Sequence, residues 1–232
     1  MGVDAQHRLL VALAALWLAA APAAAQDCRI ALALGIDVSS SVDPEEYALQ
    51  SGGLAAALRD PEVAAAFLAV PGAPVALMVY EWSGRRQQAV AVGWTWILDE
   101  ADLAAVAARI EAHGRSFARH ATAIGNAMTF GAAALAQRPE CFERVLDLSG
   151  DGETNDGLSP SAAKRSPLFE TITINGLVIG VTRRILKQHY ETFVIHGPGA
   201  FVEMADNHAD FSRAMRRKLI REVRPKAVSS LR

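Results

Sequence analysis

The sequence has no excess of charge of one sign: 23 Lys and Arg stand against 25 Asp and Glu, a formal net charge of −2. With no long basic run dominating the chain, this balance excludes general nucleic-acid affinity. Beyond the first 25 residues there is no apolar run long enough to span a membrane. There are no internal repeats and no low-complexity tract beyond an alanine bias, which removes repeat arrays from consideration. There is no G-x-S-x-G elbow, no glycine-rich loop with lysine after the first strand, and no histidine beside the serine-rich motif. A serine hydrolase elbow and a phosphate cradle are thereby excluded. Cysteine is scarce, with 2 in 232 residues, so its meaning depends on compartment.

What is present reads as one globular domain of ordinary size behind a leader. "MGVDAQHR" carries positive charge, the 13-residue "LLVALAALWLAAA" is apolar, and "PAAAQ" offers small residues for cleavage after Ala25. This is the layout of a secretory signal, with an apolar core too short to cross about 30 Å of hydrocarbon. The expected organisation is a signal peptide over 1–25 and a single domain over 26–232, exported to the periplasm or secreted. No transmembrane segment is expected after cleavage. Asp27 is wrong for a lipid-modified Cys28. In an oxidising compartment Cys28 and Cys141 tend to be bridged. The stretch "RAMRRKLIREVRPKAVSSLR" sets eight Lys/Arg against the single Glu222 and reads as a basic helix with a solvated face.

Along the chain, "RIALALGIDV" and "ERVLDLSG" read as buried strands that end in polar residues. "PVALMVYEWSG" and "QQAVAVGWTWIL", separated by "SGRR", read as a hairpin. Helical stretches open at Asp43-Pro44, at Asp99 and at Thr122, and an amphipathic helix closes the chain. "ETITINGLVIGV" adds a strand, "RRILKQHYETFV" a short helix, and "AFVEMA" a last short strand. This alternation predicts an α/β fold: a doubly wound, mostly parallel sheet with helices on both faces and one antiparallel edge strand.

In such sheets ligands bind beyond the carboxyl ends of the strands. Three polar clusters fall at that edge: Asp37, Ser39 and Ser41 after the first strand, Thr122 at a helix opening, and Asp151 after "VLDLSG". All are hard oxygen donors, a set that suits Mg²⁺ or Mn²⁺ and gives soft metals little reason to bind. The alternating spacing D-x-S-x-S points all three side chains to one side of an extended turn. Taken singly, each cluster has a plainer reading. Asp37 with the serines makes a turn plus helix cap, Thr122 an N-cap, and Asp151-Gly152 an ordinary turn. "DGETNDG" is no EF-hand, because its glycine falls at the seventh position and Ala162 occupies the twelfth.

Together, D-V-S-S-S at 37–41, the threonine of "ATAIGNAM" and D-G at 151–152 resemble the metal-ion-dependent adhesion site of von Willebrand factor A domains. "SGDGETNDG", "TINGLVI" and "GPGAF" are similar to an exported bacterial A-domain-like family of unknown function, over residues 28 to 224. The resemblance implies that Ser39, Ser41 and Thr122 touch the metal, while Asp37 and Asp151 act largely through water. It also makes the strands ending at Asp37 and Asp151 parallel neighbours, which brings Cys28 and Cys141 side by side as a disulfide. It implies a non-enzymatic module whose Mg²⁺ accepts an Asp or Glu carboxylate of a protein partner. The alternative is a metal-dependent phosphatase or esterase using the same strand ends. The loop "ETNDGLSPSAAKRSPLFE" departs from the family, whose members often carry a clearer helix there.

Overall fold

The first buried strand, β1 (Cys28–Asp37), alternates strictly between two cores: Ile30, Leu32, Leu34 and Ile36 face one side, Ala31 and Ala33 the other. The structure is a computed structural model that describes residues 27–180 and 183–225. The expected signal segment, with its cleavage after Ala25, and the tail beyond residue 225 lie outside those residues.

Among the described residues, six strands form one sheet in the order β3-β2-β1-β4-β5-β6. These are β1, β2 (Val75–Trp82), β3 (Gln88–Ile97), β4 (Cys141–Gly150), β5 (Thr173–Ile179) and β6 (Val202–Ala205). All pair in parallel except β3, which returns antiparallel to β2 at one edge, as the "SGRR" hairpin predicts. One face is covered by α1 (Pro44–Leu58), α2 (Pro61–Phe67), α3 (Glu100–Ala112) and α7 (Phe211–Val223). The other is covered by α4 (Ile124–Leu135), α5 (Pro160–Ala163) and α6 (Arg183–His189). The expected doubly wound α/β architecture is therefore present.

Local chemistry explains most boundaries. Asp43 and Glu46 form a reciprocal capping box at α1 with Pro44 in its first turn, and Asp99 and Asp102 do the same at α3. One expectation needs refinement. The helical stretch after Asp43 is split, because Asp60 caps a new helix at Pro61 and the first helix stops at Leu58. The basic closing helix is also not a freely solvated face. Arg216 pairs with Asp60 at 2.7 Å and Glu62 at 2.7 Å, and Arg217 pairs with Glu203. Arg213 pairs with Asp210.

Lys218 of that helix is fully buried. Its Nζ lies 2.8 Å from Asp147 Oδ1 and 2.5 Å from Glu222 Oε1. Asn175 Nδ2 donates to the same Glu222 oxygen at 2.8 Å, and the Phe201 N–H donates to Asn175 Oδ1 at 3.1 Å. The Phe201 ring covers the group, with Lys218 Nζ at 5.1 Å and Arg221 Cζ at 3.7 Å from its centroid. One cation thus serves two buried carboxylates. Burial, reinforced by the Glu222 charge and opposed by Lys218, pushes Asp147 up to about 7.

Asp147 yields a prediction whose sign follows from linkage. A carboxyl raised in the folded state binds its proton more tightly there than in the unfolded chain. Its contribution is fully present at acid pH and is lost as pH rises through about 7. In urea unfolding this group alone is expected to contribute a loss of about 2 kcal/mol between pH ~5.5 and pH ~8. Asp147→Asn should remove that share of the slope and leave the share of Asp37, also raised to about 7.

At the opposite edge of the sheet Cys28 pairs in register with Cys141, and the two form a disulfide with Cα atoms 4.3 Å apart. The bridge closes a sequence separation of 113 residues. Replacing both cysteines with serine is expected to lower stability by about 2–5 kcal/mol, read by denaturant midpoint.

Candidate functional site

The carboxyl ends of β1 and β4 place two aspartates together. Ile36 registers with Ser149, so Asp37 is carried beside Gly150 and Asp151 follows directly. Asp37 is fully buried. Its Oδ1 accepts the Ser39 N–H at 2.8 Å, a side-chain turn that ends the strand and bends the chain. The serine segment is therefore a tight turn, closed by Val42 N–H to Ser39 C=O at 3.1 Å, and not the extended run that the alternating spacing suggests. The turn still gathers the hydroxyls. Ser39 Oγ and Ser41 Oγ are 3.1 Å apart, and Ser41 Oγ donates to Asp151 Oδ1 at 2.7 Å.

Thr122 joins this group from a third element. Its side chain is buried, with Oγ1 4.0 Å from where a Cβ on Gly152 would lie. It does not cap the following helix, contrary to the plain reading. That helix begins at Ile124, and its first N–H is taken by Thr154 Oγ1 at 2.9 Å. Asn155 completes the exchange. Its Oδ1 accepts the Thr122 N–H at 2.8 Å, while its own N–H donates to the Thr122 carbonyl at 2.9 Å. The loop 151–156 thus meets the backbone needs of the threonine segment and leaves the Thr122 hydroxyl free of capping duty.

A further residue, Arg115, holds the site in shape, and sequence reading alone did not single it out. Arg115 Nη2 donates to the carbonyls of Val38 and Ser39 at 2.9 Å each and of Val42 at 2.7 Å, clamping the serine turn from inside. Ser40 N–H donates to the His120 carbonyl at 2.8 Å, tying that turn to the Thr122 segment. Arg115 sits in "GRSFARHA", which carries no periodic signal; its role depends on contacts across more than 70 positions.

The electrostatics centre on Asp37. Its Oδ2 is buried and has no hydrogen-bond partner. Burial, and next the nearby Asp151 charge, push Asp37 up to about 7, against the Ser39 hydrogen bonds and the approach of the Asp151 N–H. Among the described residues no three His, Cys, Asp or Glu side chains gather to hold a metal. The arrangement is instead two carboxylates linked by a chain of neutral hydroxyls. A buried carboxylate that no cationic side chain answers, beside a chain of hydroxyl oxygens, fits a hard divalent cation.

Residues 27–227 match the model of a family described as "Protein of unknown function (DUF1194)". No curated protein matches the chain. Several solved structures share its fold. Proximal thread matrix protein 1 (PTMP1) from the mussel byssus is 15% identical with a TM-score of 0.61, over 85% of this chain and 48% of that one. A von Willebrand factor type A structure from Catenulispora acidiphila is 18% identical with a TM-score of 0.58, over 84% and 43%. An aerotolerance-related membrane protein from Bacteroides fragilis is 15% identical with a TM-score of 0.57, over 83% and 99%. The chain spans less than half the length of the first two. PTMP1 also has a structure with a zinc-occupied MIDAS motif. The fold is that of von Willebrand factor A domains.

Replacing Arg115 with methionine keeps the bulk of the side chain and removes three charge-assisted hydrogen bonds. The expected cost is about 1.5–3 kcal/mol. Amides of residues 38–42 should exchange with deuterium faster than in the unsubstituted protein. Unchanged protection of that turn would refute the clamp.

Proposed function

The chain belongs to the DUF1194 family, and on its fold and strand-end site we propose that it is an exported binding module that captures an acidic side chain of a protein partner through a divalent cation. Ser39, Ser41 and Thr122 would touch the cation through their hydroxyls, with Asp37 and Asp151 behind them. When bound, Mg²⁺ or Mn²⁺ supplies a Lewis-acidic position that a partner's Asp or Glu carboxylate can complete.

The observation that carries this reading is the buried Asp37 carboxylate, which no cationic side chain answers, beside a hydroxyl chain that ends on Asp151. A buried carboxylate without a cationic partner is costly as an anion unless a cation is part of the folded, working state. Neutral hydroxyls would not satisfy the charge of a cation, so a site built from them favours an additional anionic ligand. The zinc-occupied MIDAS motif of PTMP1, a protein that shares the fold, supports a divalent cation in this chain. Donor hardness favours Mg²⁺ or Mn²⁺ over zinc in this chain.

Export rests on the leader read over 1–25. It is consistent with the Cys28–Cys141 disulfide, since such bridges persist in oxidising compartments. Among the described residues no helix is long and apolar enough to cross a membrane.

The test has two parts. Calorimetry on chelator-stripped protein should show Mg²⁺ or Mn²⁺ binding that Asp37→Ala removes; equal binding by both proteins sinks the site. Partner capture from envelope extract should vanish with chelator, return with Mg²⁺, and be lost in Ser41→Ala and Thr122→Ala. Those two variants should stay within about 1 kcal/mol of the parent stability. Turnover of a phosphate or ester substrate that requires Asp151, with no chelator-sensitive capture, overturns the binding-module reading in favour of a hydrolase.

A further inference from the structure

Beneath the strand-end site lies a buried slot that the hydroxyl cluster does not use. After α6 the helix widens into one π-turn, Tyr190–Val194, closed by the Ile195 N–H donating to the Tyr190 carbonyl at 2.9 Å. Such turns rotate a side chain out of the ordinary helical series and recur at functional sites. Here the turn drives the Tyr190 ring, fully buried, against the end of β4 and the middle of β5.

Two glycines make room for it. A Cβ on Gly176 would lie 2.6 Å from Tyr190 Cδ1, and a Cβ on Gly150 would lie 2.7 Å from its phenolic oxygen. Glycine inside a strand is unfavourable unless something must approach closely, and at both positions that something is Tyr190. The same point beside Gly150 is 3.1 Å from Asp37 Oδ2 and 3.4 Å from Trp82 Cζ2. Asp37 Oδ2, the Tyr190 hydroxyl and Trp82 Nε1 are all buried, and none has a hydrogen-bond partner. The Asp37 acceptor and the phenolic donor therefore meet at one spot under the candidate cation site, with the edge of the Trp82 ring beside them.

A phenylalanine would fill the slot without burying a hydroxyl, so the hydroxyl calls for a function. We propose that Tyr190, assisted by the Trp82 indole N–H, is a positioning residue: it holds a hydrogen-bond donor for the inner oxygen of Asp37 and so orients that carboxylate toward the cation. The inference rests on the metal reading above. Ser39 N–H fixes one carboxylate oxygen, and the phenol stands beside the other without yet bonding it. A small shift on cation binding would hold both oxygens, so that the carboxylate does not swing away when a ligand exchanges. Outer donors of this kind set the orientation of metal-binding carboxylates and their affinity for the ion.

The probe is Mn²⁺ alone, titrated calorimetrically into chelator-stripped protein. Tyr190→Phe should keep the apo melting temperature, because the ring still fills the slot, while weakening Mn²⁺ binding by about 10- to 100-fold. In the unsubstituted protein, Mn²⁺ should also perturb the near-ultraviolet spectrum of a buried tyrosine. Tyr190→Phe should abolish that signal. Mn²⁺ affinity within twofold of the parent would overturn the role of Tyr190 while leaving the cation site standing. If the variant does not fold, the spectrum of the unsubstituted protein decides: Mn²⁺ binding with no tyrosine perturbation overturns it. Failure of the unsubstituted protein to bind Mn²⁺ overturns the metal reading and this inference together.

Discussion

Parallel pairing of β1 with β4 puts Cys28 opposite Cys141 at one edge of the sheet and Ile36 opposite Ser149 near the other. A shift of that register by one residue would turn Ile30, Leu32, Leu34 and Ile36 against the wrong partners and break the pairing of the cysteines. The same register carries Asp37 beside Gly150 and leaves Asp151 one step beyond the strand. Hydrophobic alternation in the middle of the strands therefore determines how far apart two acids stand at their ends. The disulfide pins that register covalently at the edge away from the polar cluster.

The chain contains two buried aspartates with opposite solutions to the same problem. Both are pushed up to about 7 chiefly by burial. Asp147 receives Lys218 from α7 within the core, so its charge is answered inside the molecule. Asp37 receives backbone N–H groups and serine hydroxyls but no cationic side chain. Around it, other residues take over the ordinary structural work. Thr154 caps the helix at Ile124, Asn155 satisfies the Thr122 backbone, and Arg115 occupies the carbonyls of the serine turn. The hydroxyls of Ser39, Ser41 and Thr122 are thereby kept from backbone duty.

Much of this was legible in the sequence because it is local. Alternation in "RIALALGIDV", the Asp43-Pro44 and Asp99 caps and the "SGRR" hairpin each encode their element within a few residues. The five polar residues at the strand ends could be named because they lie at boundaries that those elements define. The break at Asp60-Pro61 was written equally plainly, yet the surrounding alanine-rich composition masks it. What was not legible is long-range. The clamp of Arg115, the exchange between Asn155 and Thr122, and the entry of Tyr190 under Gly150 all join residues far apart in the chain. The serine turn was misread as extended because the Asp37 side chain bends the backbone, and spacing alone cannot report that bond. Lys218 is the sharpest case: within a run of arginines nothing marks it as the basic residue that turns inward, and only Asp147 on the facing strand, with Glu222 one turn along the same helix, does so.

The placement of the disulfide also governs how the domain carries mechanical load. A pull on the chain ahead of Cys28 reaches β1 at its first residue, where the bridge passes the tension at once into β4. Since β1 and β4 run side by side and parallel at the centre of the sheet, such a pull loads both from the same end, and their inter-strand hydrogen bonds are not slid past one another. The polar cluster at the far ends of those strands is thereby shielded from tension applied at the opposite edge.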